Sequence, residues 1–169
     1  MAEAAILAED ERVELIAGEI VRMTPIGSQH AGCVNTLNRL LGRALADRGV
    51  VSVQNPIILD GSTEPQPDLA LLRFREDSYR TAHPQPADVL LVVEVADSSL
   101  EYDLRVKVPL YARAEIPEAW LVRLEDGCIE VHRDPGATGY REMRTFRAGD
   151  VIAPLAFPDL EVAIAAILG

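Results

Sequence analysis

From Val89 to Val93 the chain is unbroken in valine and leucine, and after a single glutamate the run resumes with Val95 and Ala96. A strand that is apolar at every position has no polar face to turn toward water. It must lie inside a sheet covered on both sides, which selects an α/β architecture. The flanking segments agree. Asp97-Ser98-Ser99 offers capping chemistry for a helix running to about Ala114, Glu115-Ile116-Pro117 ends it, and Ala119 to Leu124 is a second apolar run. Strand, helix and strand in that order specify a right-handed crossover between parallel strands.

Val13 to Met23 reads as a tight hairpin around Ala17-Gly18, with Glu14 and Glu19 on its arms. From Ser28, read as an N-cap, Cys33, Val34, Leu37, Leu40, Leu41, Ala44 and Leu45 recur with helical spacing up to Gly49. His30 falls at the N-terminal end of that apolar stripe. Val50 to Leu59 is strand-like around Asn55-Pro56, and Pro67 opens the strand Asp68 to Leu72. Cys128 to Arg133 reads as a half-exposed hairpin arm, Tyr140 to Phe146 as a further strand and Glu161 to Leu168 as a terminal helix. No internal repeat or linker divides the chain, so residues 1–169 are expected to form one α/β domain with a mixed central β-sheet flanked by helices.

No apolar run approaches the ~20 residues of a membrane helix, and Glu3, Glu9, Asp10 and Glu11 oppose the basic start of a secretory signal. A soluble, cytoplasmic protein is expected. Cys33 and Cys128 are too far apart for a metal knuckle, and His30, His83 and His132 are too scattered for a zinc site. No glycine-rich phosphate loop follows a strand. Ser28 beside His30 is read as a helix cap, not as part of a nucleophilic triad. The net charge of −11 repels polyphosphates, so any DNA partner must be bound weakly or selected by its structure. Arg39, Arg43 and Arg48 leave room for a local phosphate-facing surface.

Glu94 interrupts the buried strand, where a bare carboxylate costs several kcal/mol or is driven neutral. An ion pair with an arginine or a divalent cation would compensate it. Asp68 opens a strand 26 residues earlier, close enough in sequence for the two strand ends to be neighbours. Among the 16 basic residues Lys107 is the only lysine, and a compact ammonium can approach a single oxygen as a planar guanidinium cannot. Asp103, Lys107 and Tyr111 recur at i, i+4 and i+8, either as a site-facing row or as a solvated ion pair beside an exposed tyrosine. Pro109 disturbs that row unless the regular helix begins near Val106.

Glu14-Leu15-Ile16-Ala17-Gly18-Glu19-Ile20, His30, Pro67-Asp68-Leu69-Ala70, Val92-Val93-Glu94-Val95, Ser98 and the stretch from Tyr102-Asp103 through Lys107 to Val122 together resemble the Uma family of endonucleases, in the PD-(D/E)XK nuclease superfamily. The similarity runs from about residue 12 to 160. It implies a restriction-endonuclease-like core in which Asp68, Glu94 and the Val95 carbonyl bind Mg²⁺, with Mn²⁺ as a substitute. The superfamily lysine two residues after the glutamate is replaced here by Ala96. The family places it on the next helix, at Lys107. Glu14 and His30 match recurrent family positions, and Glu14, His30, Asp103 and Tyr111 are the candidate accessory residues, Glu14 as an outer ligand. The implied activity is Mg²⁺-dependent hydrolysis of DNA phosphodiester bonds. The alternative is a nuclease-derived binding module that no longer cuts. A homodimer is expected on separate grounds, the twofold symmetry of a duplex and the apolar surface offered by Trp120, Tyr140 and Phe146 on the C-terminal strands.

Overall fold

The computed structural model describes residues 11–169. Six strands form the central sheet: β3 (Gly49–Val53), β4 (Leu69–Arg73), β5 (Val89–Ala96), β6 (Glu118–Arg123), β7 (Cys128–Gly136) and β8 (Gly139–Arg147), side by side in that order. Only β5 and β6 run parallel, with Glu94 level with Leu121, and every other neighbouring pair is antiparallel. The sheet is therefore mixed, and β5 lies near its centre with all eight residues buried.

Alternation along the strands assigns the two faces. Leu69 and Leu71 of β4, Leu91, Val93 and Val95 of β5, and Trp120 and Val122 of β6 pack toward the long helix α1 (Ser28–Leu45), whose Cys33, Val34, Leu37, Leu41 and Leu45 form the opposing stripe. Ala70, Leu72, Val92 and Ala119 face the other way, toward Tyr111 and Ile116. Burial of each large aliphatic side chain contributes roughly 1.5–3 kcal/mol, so the α1 stripe is a main source of stability.

The second helical layer follows β5 and is not one regular helix. A single turn, α2 (Leu100–Tyr102), leads into a π-helical turn at Asp103–Lys107 and then into α3 (Val108–Arg113). The wide turn is closed by the Val108 N–H donating to the Asp103 carbonyl, and Pro109 follows in the first turn of α3, where its missing N–H does least harm. The chain thus keeps helical backbone on both sides of a proline.

The N-terminal hairpin, β1 (Val13–Ile16) and β2 (Glu19–Arg22), stands outside the central sheet. Its two-residue turn holds Ala17 and Gly18 at φ of 50° and 82°, the paired positive values that a tight hairpin of this hand requires. Near the C-terminus β9 (Val151–Ile152) pairs with β10 (Val162–Ala163), which leads into α4 (Ile164–Leu168). No helix among the described residues is long and apolar enough to cross a membrane.

Several sequence expectations need correction. Gly27 is the N-cap of α1, and Ser28 is its first helical residue without a capping bond. The third strand stops at Val53, because Gln54 takes φ 52° and turns the chain before Pro56. The first five residues of β7 are buried instead of half-exposed, since α3 and α4 both pack over it. The terminal helix shortens to one turn because Val162 and Ala163 are used as a strand. Trp120 cannot offer a dimer surface, being wholly buried in the α1-facing core.

Candidate active site

The sheet register brings the two strand-borne carboxylates together. The last registered pair of β4 and β5 is Leu69 with Val93, so one further step sets Asp68 opposite Glu94. The Asp68 backbone is held in line by the Gln54 N–H donating to its carbonyl at 3.1 Å. Asp68 Oδ2 accepts the Val95 backbone N–H at 2.8 Å and lies 3.0 Å from His30 Nε2, while Oδ1 receives only a long 3.4 Å bond from Gln54. Glu94 lies on the α3 side of the sheet, and its Oε1 accepts the Tyr111 hydroxyl at 2.5 Å and the Lys107 ammonium at 2.7 Å.

Lys107 is 3% exposed. The solvated pair with Asp103 that helix spacing allowed is therefore excluded, and Tyr111 is fully buried instead of exposed. The ammonium reaches Glu14 Oε1 at 2.8 Å as well as Glu94, and Asp103 instead accepts the Ser99 hydroxyl at 2.7 Å. Asp103, Lys107 and Tyr111 are all buried on the inner side of the broken helix, so the π turn keeps the row that Pro109 put in doubt. Glu94 is compensated by a lysine, not by an arginine.

A cleft of about 270 Å³ opens over this cluster, walled by the segment from Val21 to Gly27 and by the turn from Asp97 to Asp103. Asp68, Glu94, Glu14, His30 and Lys107 line it, whereas Tyr111 lies beneath Glu94. Val95 contributes its N–H to orient Asp68. Two residues that the sequence reading did not single out also belong here. Gln66 binds Glu14 through its backbone N–H and Lys107 through its carbonyl. Tyr102 lines the cleft with a hydroxyl that has no hydrogen-bond partner among the described residues. Gln66 acts through backbone groups that any residue type carries, so composition gave no sign of it; Tyr102 was legible only as part of the Tyr102-Asp103 pair.

The electrostatics of the cluster are lopsided. Four buried carboxylates, Glu14, Asp68, Glu94 and Asp103, face one buried ammonium and one imidazole. Asp68 and His30 satisfy each other: their hydrogen bond holds the imidazole above its usual value, while burial pushes Asp68 up and the hydrogen bond and charge of His30, the Val95 N–H and Lys107 together bring the carboxyl below its own. Lys107 is held above the usual lysine value because Glu94 and Glu14 outweigh the opposing effect of burial. The remaining charge is uncompensated. Burial pushes Glu94 up to about 8 and Asp103 up to about 6, against the pull of Lys107 on both. Near neutral pH Glu94 therefore holds a proton in place of a second cation.

Among the described residues no group of three or more His, Cys, Asp and Glu side chains is arranged to hold a metal ion. A pair of carboxylates is nevertheless the donor set that suits magnesium, which keeps most of its waters and takes one or two carboxylates plus substrate oxygens. Asp68 and Glu94 form such a pair, with Glu94 Oε2 and Asp68 Oδ1 less engaged than their sister oxygens.

The model of the Uma2 family, described as "Putative restriction endonuclease", matches residues 2–165. None of the curated proteins matches. Among solved structures, one described as a putative nuclease belonging to DUF820, from Anabaena variabilis ATCC 29413, superposes with a TM-score of 0.78 at 13% identity. The match covers 96% of this chain and 93% of that one, so the two share a fold along almost their whole length.

Proposed function

The chain belongs to the Uma2 family, whose description is that of a restriction endonuclease, and from that premise we propose that it is a Mg²⁺-dependent endonuclease hydrolysing DNA phosphodiester bonds in the cleft above Asp68 and Glu94. The observation that carries this reading is the buried surplus of carboxylate over cation. A cluster of four acids against one lysine and one histidine is costly unless a cation joins it.

Asp68, Glu94 and the Val95 carbonyl would hold the ion, with Mn²⁺ able to replace Mg²⁺. Bound there, magnesium supplies Lewis acidity toward a phosphoryl oxygen and lowers the pKa of a water. His30 and the Val95 N–H fix the orientation of Asp68, and Tyr111 fixes that of Glu94. Lys107 places a point charge beside the carboxylates, where it steadies the attacking water or the charge that develops on the phosphate. The deep, acidic cleft suits DNA that is engaged weakly or through its structure, and a homodimer would match the twofold symmetry of a duplex.

A second reading has its own support. The cleft is lined by five acids and by only Arg22 and Lys107 as lasting cations, and the chain carries a net charge of −11, which favours a nuclease-derived binding module without cutting activity. Purified protein incubated with plasmid, single-stranded and branched DNA separates the two. Cleavage of at least one form that requires Mg²⁺ or Mn²⁺ and stops with chelator is expected. Intact DNA in all three, at millimolar metal, would favour the module.

A further inference from the structure

The β1–β2 hairpin pairs with no strand of the central sheet, yet it buries a carboxylate beside the only lysine in the chain. Its attachment runs through the segment that leads into β4. Leu15 and Glu64 exchange backbone bonds, the Gly18 N–H donates to the Ser62 carbonyl at 2.8 Å, and the Gln66 side chain donates to the Val13 carbonyl at 3.0 Å. Two residues before Asp68, Gln66 completes the unit. Its N–H donates to Glu14 Oε1 at 2.8 Å, and its carbonyl accepts from Lys107 Nζ at 3.4 Å.

An ammonium has three donors, and here each has a partner: Glu14, Glu94 and, more weakly, the Gln66 carbonyl. These partners are not equivalent. Glu94 lies on the strand that faces the cleft, opposite Asp68, and would turn toward any cation bound between them. Glu14 is held by Gln66 independently of Lys107, on the hairpin whose second strand also supplies Val21 and Arg22 to the wall of the cleft. A lysine side chain released from all its partners is free to sample many rotamers and would not stay in one place.

We propose that Glu14 is the positioning residue for Lys107: it anchors the ammonium, through the Gln66 bridge, while Glu94 is engaged elsewhere. The β1–β2 hairpin is then part of the reaction machinery, and Glu14 acts through the lysine instead of serving as an outer metal ligand. The purpose of the anchor rests on the nuclease reading above, but its existence does not.

Because Lys107 is the only lysine, protein labelled with ¹⁵N-lysine gives one side-chain ammonium signal, which needs neither metal nor DNA to be read. The expected result is a slowly exchanging signal in the wild type that survives Glu94→Ala. In Glu14→Ala its exchange should be at least tenfold faster, and Glu14→Gln, which keeps an oxygen at the same reach, should restore most of the protection. Protection that survives Glu14→Ala but disappears in Glu94→Ala would make Glu94 the anchor and overturn the proposal. The ligand alternative is tested in a Lys107→Met background, where Glu14→Gln should leave the Mn²⁺ affinity within threefold. A tenfold loss there would make Glu14 a ligand and also overturn the proposal. A wild type that cuts no DNA would count against the nuclease reading alone, since the ammonium signal reports on the anchor in either case.

Discussion

At the scale of single residues the site was legible where the sequence broke its own habits. Glu94 stood out because it is the one charge in an apolar strand, and Lys107 because the chain otherwise uses arginine. Gln66 was not legible, since its backbone groups do the binding. The burial of Lys107 sharpens what its replacement should do. Lys107→Arg forces a wider, planar group between Glu14 and Glu94, so cleavage should fall by about 10²-fold or more, nearly as far as in Lys107→Ala. The measurement is the metal-dependent rate of both variants beside their melting temperatures, and a wild-type rate in the arginine variant would remove the lysine from the chemistry. Glu94 also sets the pH response of the metal-free protein. Its folded-state value is raised from 4.5 to about 8, so the folded chain keeps a proton that the unfolded chain gives up, and stability falls as pH rises from about 4.5 to about 8. Asp103, raised from 3.8 to about 6, and His30, raised above 6.5, act in the same direction within their own ranges. Melting curves should therefore fall from pH 5 to pH 8 in chelator, by about 2–4 °C for each kcal/mol lost. Glu94→Gln should flatten that slope and melt above wild type at pH 8; an unchanged slope would mean that Glu94 is ionised throughout.

At the scale of elements, continuous apolar runs located β5 and β6, which are covered on both faces, and the 3.6-residue period located α1, which buries one stripe against the sheet. The patterns were blind to β9 and β10, two residues each, whose pairing depends on a long-range return of the chain. The helix after β5 was found, but not its π turn, since the spacing of Asp103, Lys107 and Tyr111 fits a regular helix equally well. A buried network unconnected with the cleft ties the last strands down. Glu118, with no exposed surface, accepts bonds from Trp120 Nε1, from Arg133 Nε and Nη2, and from the Leu155 N–H. Glu118→Ala leaves the buried Trp120 indole N–H and the Leu155 N–H without their acceptor, while the partly exposed Arg133 keeps water and the Ala153 carbonyl, and should cost about 1–3 kcal/mol. Denaturant titration should show that loss while the Mn²⁺ affinity at the distant cleft is unchanged. A loss below about 1 kcal/mol would show that water replaces the carboxylate.

At the scale of the whole molecule, the negative charge and the nuclease fold pull in opposite directions, and the cleft reconciles them if its excess of acid is an unfilled requirement for a cation. The fold was legible as a mixed α/β sheet, while the dimer argument from Trp120 was not sound, because the tryptophan fills the core between β6 and α1. Exposed apolar residues of the C-terminal strands include Met143 on β8, Val151 on β9 and Leu155 just after it. If copies pair through these residues, light scattering at tens of micromolar should give twice the chain mass, and Met143→Glu should return it to one; a monomer mass in the wild type would dispose of the pairing. A divalent cation bound between Asp68 and Glu94 should displace the proton that Glu94 holds near neutral pH. Calorimetric titration of Mn²⁺ into metal-free protein near pH 7, repeated in two buffers of different ionisation enthalpy, tests it most directly. The expected result is binding accompanied by proton release, with the release abolished and the affinity reduced at least tenfold in Glu94→Gln and the affinity likewise reduced in Asp68→Asn. No binding at millimolar Mn²⁺, or binding that is the same in all three proteins, would contradict it.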